Sequence, residues 1–517
     1  MSVLDAIRRA FRGGVSLQAA TPMAPTPGPT YPGAGGGRRV TGFWAPNVGV
    51  NRAIVGALPT LRARSHALVR QDPYVWRALR SYVANLIGTG ITPQSQIVDE
   101  ATRRAVSETW TDWTDEADAD GRTDFYGLQA LIALTVMLGG EALVRLRPRR
   151  LDDGLVVPLQ LQVLEGDHLP LDKTETLPNG NMIRCGIEFG PIGNRVAYWL
   201  TREHPSDGIG ASWRATELVR VPADQVLHIY ELIRPGQLRG EPRLARVLMT
   251  AFHLDQFEDA TLEKAKLAAA ITGWIRAQGG DGPLVNPNPV PDATTGTVEQ
   301  AIEPGTLSKL EDNQEIQFAP AAEIGDYEAF TKHGIRKLAS GAGSTYEHTS
   351  GDYEGVTYSS LREQKNQLER ELKQVLYAML CPQFCRPVRL AWFAQAMLAN
   401  ALPIAPSAYV ATPRAFTRTT WIAPGLAYAD PLKEVTAKKE AIRGGLTSVS
   451  AVIRETGEDP EKVFAEIAAD NERARMLGLV LDTNPAHKIA AAATTMTPDP
   501  TAMPVEDEPP SRQRRVA

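Results

Sequence analysis

The chain has 517 residues, 43% hydrophobic and 22% charged, with a formal net charge of −5. That length allows two to four domains or one extended multi-module subunit. No apolar run approaches the eighteen or so residues a membrane span needs. The mildly acidic balance argues against a protein that wraps nucleic acid tightly, because phosphate neutralisation needs clustered Lys and Arg, but not against a wall along which a duplex slides. Three cysteines, Cys185, Cys381 and Cys385, are too few for a disulfide framework and suit a reducing compartment.

The basic amphipathic start, Met1 to Arg12, lacks the apolar core and cleavage site of a secretory signal and reads as an arm or a partner-docking helix. Residues 13–40, rich in Pro, Gly, Ala and Thr, predict disorder. Two amphipathic helices follow over 55–90, split near Asp72-Pro73 and closed by Gly88 and Gly90. Arg62, Arg64 and Arg70 read as a solvated or intersubunit face. Helices continue over 100–118, with Trp110 and Trp113, and over 124–138.

After Gly139-Gly140 the apolar period shifts towards 2. Strands are predicted over 142–146, 159–164, 182–189, 196–200 and 226–230, which makes an α+β module with a mixed or antiparallel sheet. Glu165, Asp167 and His168 sit at a strand end, where turn and cap chemistry explains them better than catalysis.

Arg234-Pro-Gly-Gln-Leu-Arg-Gly240 is a two-glycine turn leading to a helix expected over 242–276 with Pro242 at its first position. Such a helix would be roughly 50 Å long. The Pro/Gly-rich insertion 279–292 cannot be helical, and short strands are expected over 305–310 and 315–318. A second helix is expected over 326–342, with Tyr327, Phe330 and Leu338 on one side and Lys332, Arg336 and Lys337 largely outside that stripe.

The stretch 344–358 carries Tyr346, Tyr353 and Tyr358, two glycines and no apolar period, so it reads as a loop without a core of its own. A Ser360/Glu363 capping box is expected to restart the helix. Its buried side, Leu361 to Met379, runs to an end or kink near Pro382. Cys381 and Cys385 are expected to be a buried inert pair, since no further metal ligand stands nearby. Residues 391–401 are apolar, 418–422 reads as a strand, two or three short capped helices follow Asp430, and 484–517 predicts disorder.

Five blocks in order resemble the portal proteins of lambda-like tailed bacteriophages. They are Leu61 to Ile91, Val226 to Arg243 with its Arg-Pro-Gly-Gln-Leu-Arg-Gly, Glu347 to Arg362 with Ser-Gly-Asp-Tyr and Tyr-Ser-Ser, Asp430 to Ser450, and Gly457 to Phe464. The resemblance implies an α+β, elongated portal-type subunit. It places a disordered arm at 1–40, a helical and β wing at 41–240, a first stem helix at 241–276, a clip at 277–322 and a second stem helix at 323–343. A tunnel loop at 344–359 follows, then a long wing helix and returning strand at 360–430, crown helices at 431–483 and a disordered tail at 484–517.

It further implies a homo-oligomeric ring, usually of twelve copies, at one capsid vertex of the virion, assembled in the host cytoplasm. Double-stranded DNA would be packaged, retained and ejected through that ring without sequence reading. The partners would be the terminase large subunit, a head-tail adaptor, and the major capsid protein and scaffold, with no membrane, cofactor or enzymatic activity. The DNA-channel residues would be Tyr346, His348, Tyr353, Tyr358, Lys332, Arg336 and Lys337. No Gly-x-x-x-x-Gly-Lys-Ser/Thr loop is present, so energy would come from a separate ATPase. Two alternatives stay open: a metal-dependent DNA hydrolase using His348, Asp352 and Glu354, and a helical scaffold without a pore.

Overall fold

The computed structural model describes residues 46–207, 217–270, 274–277, 314–317, 327–425 and 430–479. The expectations for 1–40, 279–292, 305–310 and 484–517 lie outside the described residues. The chain divides into Met1–Ala53 and Ile54–Ala517; of the first unit only 46–53 are described, ending in the first turn of a helix.

Helix α1 (Val50–Gln71) gives way to α2 (Pro73–Ile87) at Asp72, whose carboxylate accepts from the Tyr74 and Val75 amides, with Pro73 at the first helical position. Strand β1 (Thr92–Ser95) leads to α3 (Glu100–Thr114) and α4 (Phe125–Gly139). Asp99 and Asp124 cap these two helices through Thr102 N and Gly127 N. Arg62 departs from the expected solvated face: it is buried, whereas Arg64 and Arg70 are exposed.

Two antiparallel sheets follow. The first has the order β3-β2-β9, from β2 (Glu141–Pro148), β3 (Leu159–Glu165) and β9 (Val226–Tyr230). The second runs β4-β5-β6-β7-β8, from β4 (Glu175–Thr176), β5 (Met182–Arg184), β6 (Ile187–Phe189), β7 (Arg195–Thr201) and β8 (Leu218–Pro222). Alternation along β2 divides its side chains between two cores. Ala142, Val144 and Leu146 join the large helical core, while Leu143 turns to the smaller one with Ile187, Phe189, Tyr198 and Leu200. The stretch 182–189 is a hairpin rather than one strand. Cys185 and Gly186 both take positive φ (51° and 81°), the requirement of a two-residue type I′ turn, which a Cys-Gly pair does not advertise as Asn-Gly does.

The helix expected over 242–276 is shorter. Pro242 precedes a 3₁₀ turn at Arg243–Arg246, and α5 spans Leu248–Ala270, 23 residues and therefore about 35 Å. Trp274–Ala277 is β10, paired antiparallel with β11 (Gln314–Gln317). Helices α6 (Tyr327–Ala342), α7 (Tyr346–Ser350) and α8 (Tyr358–Val375) come next.

Pro382 does not end the chain's helical path. The stretch Leu376–Cys385 is π-helical and continues into α9 (Arg386–Leu398), so the missing proline N–H falls within a wider turn. Phe384, Cys385, Trp392 and Phe393 on this run are fully buried against Trp110, Trp113 and Phe125. Cys381 and Cys385 are buried free thiols within it. Short helices α10 (Pro406–Ala411) and α11 (Pro413–Thr417) lead to β12 (Thr419–Ile422), which pairs with β1. Helices α12 (Pro431–Arg443), α13 (Val449–Glu455) and α14 (Pro460–Met476) are capped by Asp430, Ser448 and Asp459. The α+β class expected from the sequence is the one observed.

Candidate functional site

Helix α6 buries Ile335, Leu338, Ala339 and Ala342, one face at helical spacing. Gly334 and Gly341, seven residues apart, face the preceding helical segment. A Cβ on Gly341 would stand 2.2 Å from Val247 Cγ1, and one on Gly334 would stand 2.9 Å from Leu254 Cδ1. Glycine at both positions is what lets α6 lie close against α5 and its entry turn. Phe257 of α5 meets Phe330 of α6 at 4.3 Å between ring centroids.

The stretch after α6 is more ordered than a bare loop. Gly343, at φ +79°, and the Ser344 N to Ala339 O bond close α6. Thr345 then caps the five-residue α7 through His348 N, and Gly351 ends it in the left-handed region. These local caps supply structure where no apolar period signals any. Arg77 of α2 anchors the segment by donating from Nε to the His348 carbonyl at 3.0 Å. The restart of the helix also differs from expectation: Thr357, not Ser360, is the N-cap of α8, and Ser360 is the reciprocal member of that capping box.

Two of the expected channel residues, Tyr346 and Lys332, meet at Asp352, and a third, Arg336, lies over the Tyr346 ring. The Tyr346 hydroxyl donates to Asp352 Oδ2 at 2.9 Å, and Lys332 Nζ lies 3.4 Å from the same oxygen. The Lys332 ammonium and the Arg336 guanidinium sit 5.6 and 5.3 Å from the Tyr346 ring centroid. Hydrogen bonds from Glu354 N and Tyr346 lead the causes that hold the Asp352 carboxyl below its ordinary range. Burial, followed by the bond to Asp352, pushes the Tyr346 hydroxyl up.

The other residues are placed differently. Lys337, Tyr353 and Tyr358 are exposed, and among the described residues none of their side chains makes a hydrogen bond, ion pair or ring contact with that cluster. Tyr358 has Lys433 of α12 at 5.9 Å over its ring. His348 is half-buried with Nδ1 enclosed and unpartnered, and burial lowers its pKa from the usual value. Asp352, which the sequence offered only as a metal ligand, is the hub. Arg77 carried no local signal, because its contact spans 271 positions.

His348, Asp352 and Glu354 do not form a cation-binding group. Among the described residues, the only set of three such ligand atoms within 4.8 Å of one another is Glu165, Asp167 and His204. There Asp167 already accepts from Arg62, and Glu165 faces His204 at 3.4 Å. His168 ends a 3₁₀ turn with Nδ1 3.2 Å from the Thr201 carbonyl, the turn role expected of it.

The Arg-Pro-Gly-Gln-Leu-Arg-Gly turn is organised around the buried Glu141. Glu141 Oε1 accepts from Arg62 Nη2 at 2.6 Å and from both Nε (2.8 Å) and Nη2 of Arg239. Its Oε2 accepts from Gly240 N at 2.8 Å and lies 3.0 Å from His228 Nε2. Burial alone would raise this carboxyl, but Arg239, His228 and Arg62 outweigh it and hold the group well below its ordinary value. Gln237 completes the turn: its side chain accepts from Ile233 N and donates to the Arg239 carbonyl.

Comparison with known proteins agrees with these motifs. The description "Phage portal protein, lambda family" matches residues 36–375. The chain is 29% identical over 441 residues to a probable portal protein of Halomonas phage phiHAP-1, covering 81% of each chain. It is 22% identical to the portal protein of Escherichia phage N15, covering 89% of this chain and 93% of that one. To portal protein B of Escherichia phage lambda it is 23% identical, over 57% of this chain and 59% of that one.

Among solved structures, a chain from the neck of a native gene transfer agent particle with C12 symmetry aligns at 14% identity and a TM-score of 0.40. That alignment covers 77% of this chain and 94% of the other. An HK97 family phage portal protein from Corynebacterium diphtheriae aligns at 12% identity and a TM-score of 0.29, over 58% and 83%. With two thirds of its length matched in one continuous stretch, the chain belongs to the lambda family of phage portal proteins. That family is structural rather than catalytic.

Proposed function

We propose that copies of this chain close into a ring, twelve in the form usual for the family, at one vertex of an icosahedral head. Double-stranded DNA enters through its axis, is held, and leaves through it. The observation that carries this reading is family membership over residues 36–375. A physical argument supports it. Met249, Phe252 and Leu262 on α5, and Leu432, Phe464 and Ile467 on α12 and α14, are exposed apolar side chains. Neighbouring copies in a closed ring would cover such surfaces.

In this reading α5 and α6 are the stem, β10 and β11 belong to the clip that meets the terminase large subunit and later a head-tail adaptor, and α12 to α14 form the crown. Residues 41–240 form the wing, and the major capsid protein and scaffold are further partners of the ring. The stretch 344–359 borders the channel. Lys337 and Arg336 then become belts of positive charge repeated around the axis, so that a weak local attraction for phosphate turns collective without reading sequence.

The test is the mass and rotational symmetry of the purified protein. Rings with an axial opening wide enough for a duplex, and with 344–359 lining it, are expected. Monomers, rings without an opening, or that stretch on the outer surface would each end the proposal.

A further inference from the structure

α9, α11 and β12 border an open pocket of about 260 Å³ on which three exposed arginines, Arg386, Arg414 and Arg418, converge, with Leu390 and Trp421 as apolar lining. No described Asp or Glu lines it. Among the described residues, none of the three guanidinium groups has a carboxylate within ion-pair distance. Three like charges held together without a counter-charge repel one another, so the patch is complementary to an acidic partner.

The chain carries such a partner. Over 489–511 it has four acidic residues, Asp499, Glu506, Asp507 and Glu508, and no Lys or Arg. Three of the four are consecutive. Met503 and Val505 stand just before them, and Pro504, Pro509 and Pro510 flank them. Proline narrows the set of conformations a segment gives up on docking.

The reach also fits. Asp459 accepts from Gln94 Nε2 at 3.0 Å, and Gln94 is paired with Thr420 of β12, the strand that borders the pocket. α14 then runs 17 residues, about 26 Å, and the described chain ends at Leu479. From there to Glu506 is about 27 residues, and a flexible chain of that length has a root-mean-square span of roughly 30 Å. A tether matched to the distance it must cover gives its segment an effective concentration in the millimolar range. Ion pairs that are individually weak at an exposed site then suffice together.

We propose that Glu506-Asp507-Glu508 docks in the arginine pocket of its own copy. An arginine fork takes a carboxylate bidentately. In an extended segment the side chains of 506 and 508 stand on one side, roughly 7 Å apart. Arg414 and Arg418, one turn apart and joined by the Arg418 N to Arg414 O bond, present their side chains at the comparable spacing of about 5–6 Å. Met503 and Val505 cover Leu390, which is 47% exposed. Neither the ring nor the channel is needed for this docking.

The test is cleavage after Glu506 by a glutamate-specific endopeptidase in the full-length protein. Each rate is divided by that of a free peptide 501–511 of the same sequence. Wild type is expected to be cut at least fivefold more slowly than its peptide at low salt and at the peptide's rate in about 1 M sodium chloride, where exposed pairs are screened. Arg414→Ala/Arg418→Ala and Asp507→Asn/Glu508→Gln, the second of which keeps the cleavage site, should both be cut at the peptide's rate at any salt.

Wild-type cleavage at the peptide's rate at low salt, or protection unchanged in either variant, would overturn the docking. Fast wild-type cleavage joined to duplex oligonucleotide binding that the arginine variant abolishes would overturn it in favour of nucleic acid. The two variants assembled together separate one copy from two: the intact segment then sits only on subunits whose own pocket is disabled, and its protection there would assign the pocket to a neighbouring copy's segment instead. If the arginine variant does not fold, Asp507→Asn/Glu508→Gln, beyond the last described helix, decides.

Discussion

Arg239 Nε donates to Glu141 Oε1 at 2.8 Å, and both side chains are wholly excluded from solvent. Arg62, which also reaches the partly exposed Asp167, makes the group a near-neutral quartet of two guanidiniums and two carboxylates. It joins α1, the start of β2, the turn after β3 and the Arg-Pro-Gly-Gln-Leu-Arg-Gly turn. Replacing the Glu141 carboxylate alone leaves Arg239 buried without a counter-charge and Arg62 with only the partly exposed Asp167, a change that costs about 3–5 kcal/mol. Glu141→Gln is therefore expected to lower the denaturant midpoint by that order, and to do so more than Asp167→Asn, whose carboxylate is partly exposed. Equilibrium denaturation of the three proteins, followed by tryptophan emission, checks the order.

His228 sits in the same cluster, and burial pushes it down to about 4 against the opposing pull of Glu141. The two arginines already balance the carboxylates, so a third cation is unwelcome and the imidazole stays neutral. A depressed pKa means that the unfolded chain takes up the proton first. The stability tied to neutral His228 is fully present above pH 6.5 and is lost as pH falls from 6.5 to about 4. The expected loss is on the order of 3 kcal/mol. His228→Gln, which keeps a donor but cannot titrate, should flatten the stability profile in that window. A profile unchanged by the substitution would remove His228 as the titrating group.

Local signals carried much of the helical framework. Asp72-Pro73, Asp99 and Asp124 mark helix starts because a capping carboxylate acts within three residues of itself. Contacts across the chain left no such trace. Glu141 meets Arg62, His228 and Arg239 at separations of 79, 87 and 98 positions, and one isolated Glu after two glycines advertises none of them. The turn at Cys185-Gly186 was hidden for a different reason, since a cysteine seldom adopts positive φ. At the candidate site the residue types were legible and their arrangement was not: Lys332 and Tyr346 were foreseen as separate contacts, yet both are tied to Asp352.

Gly240 and Gly140 lie back to back. A Cβ on Gly240 would stand 1.9 Å from the Gly140 carbonyl oxygen, and one on Gly140 would stand 2.5 Å from the Glu241 carbonyl carbon. Both obstacles are backbone, which cannot swing aside as a side chain can. Gly140 also has φ +87°, so a side chain there adds conformational strain. Gly240→Ala is expected to destabilise more than Glu141→Gln, because it displaces the amide that donates to Glu141 as well as the chain. Gly236→Ala, with nothing within 4 Å of its Cβ but φ +77°, should cost only the smaller price of strain, about 1 kcal/mol. Soluble yield and thermal midpoints of the two variants separate these outcomes.

Lys332 and Lys337 differ in what they have free to offer a phosphate. The Lys332 ammonium lies against Asp352 and over Tyr346, so its charge is partly spent within its own subunit. Lys337 is exposed, with no ion pair among the described residues. If 344–359 borders a DNA channel, removing Lys337 takes a full positive charge per subunit from the wall, whereas removing Lys332 releases Asp352 and leaves the wall more negative. Both changes weaken attraction for the duplex, but Lys332→Ala also loosens the Tyr346–Asp352 contact while costing less than about 1 kcal/mol of stability. Rings should still assemble in both. Packaged DNA length or retention should fall in Lys337→Ala and in Lys332→Ala, each of which removes one positive charge per subunit, and recover in Lys332→Ala/Asp352→Asn, where the net charge is restored. Particles of each variant assayed for DNA content and infectivity decide the matter, and values equal to wild type throughout would remove both lysines from the mechanism.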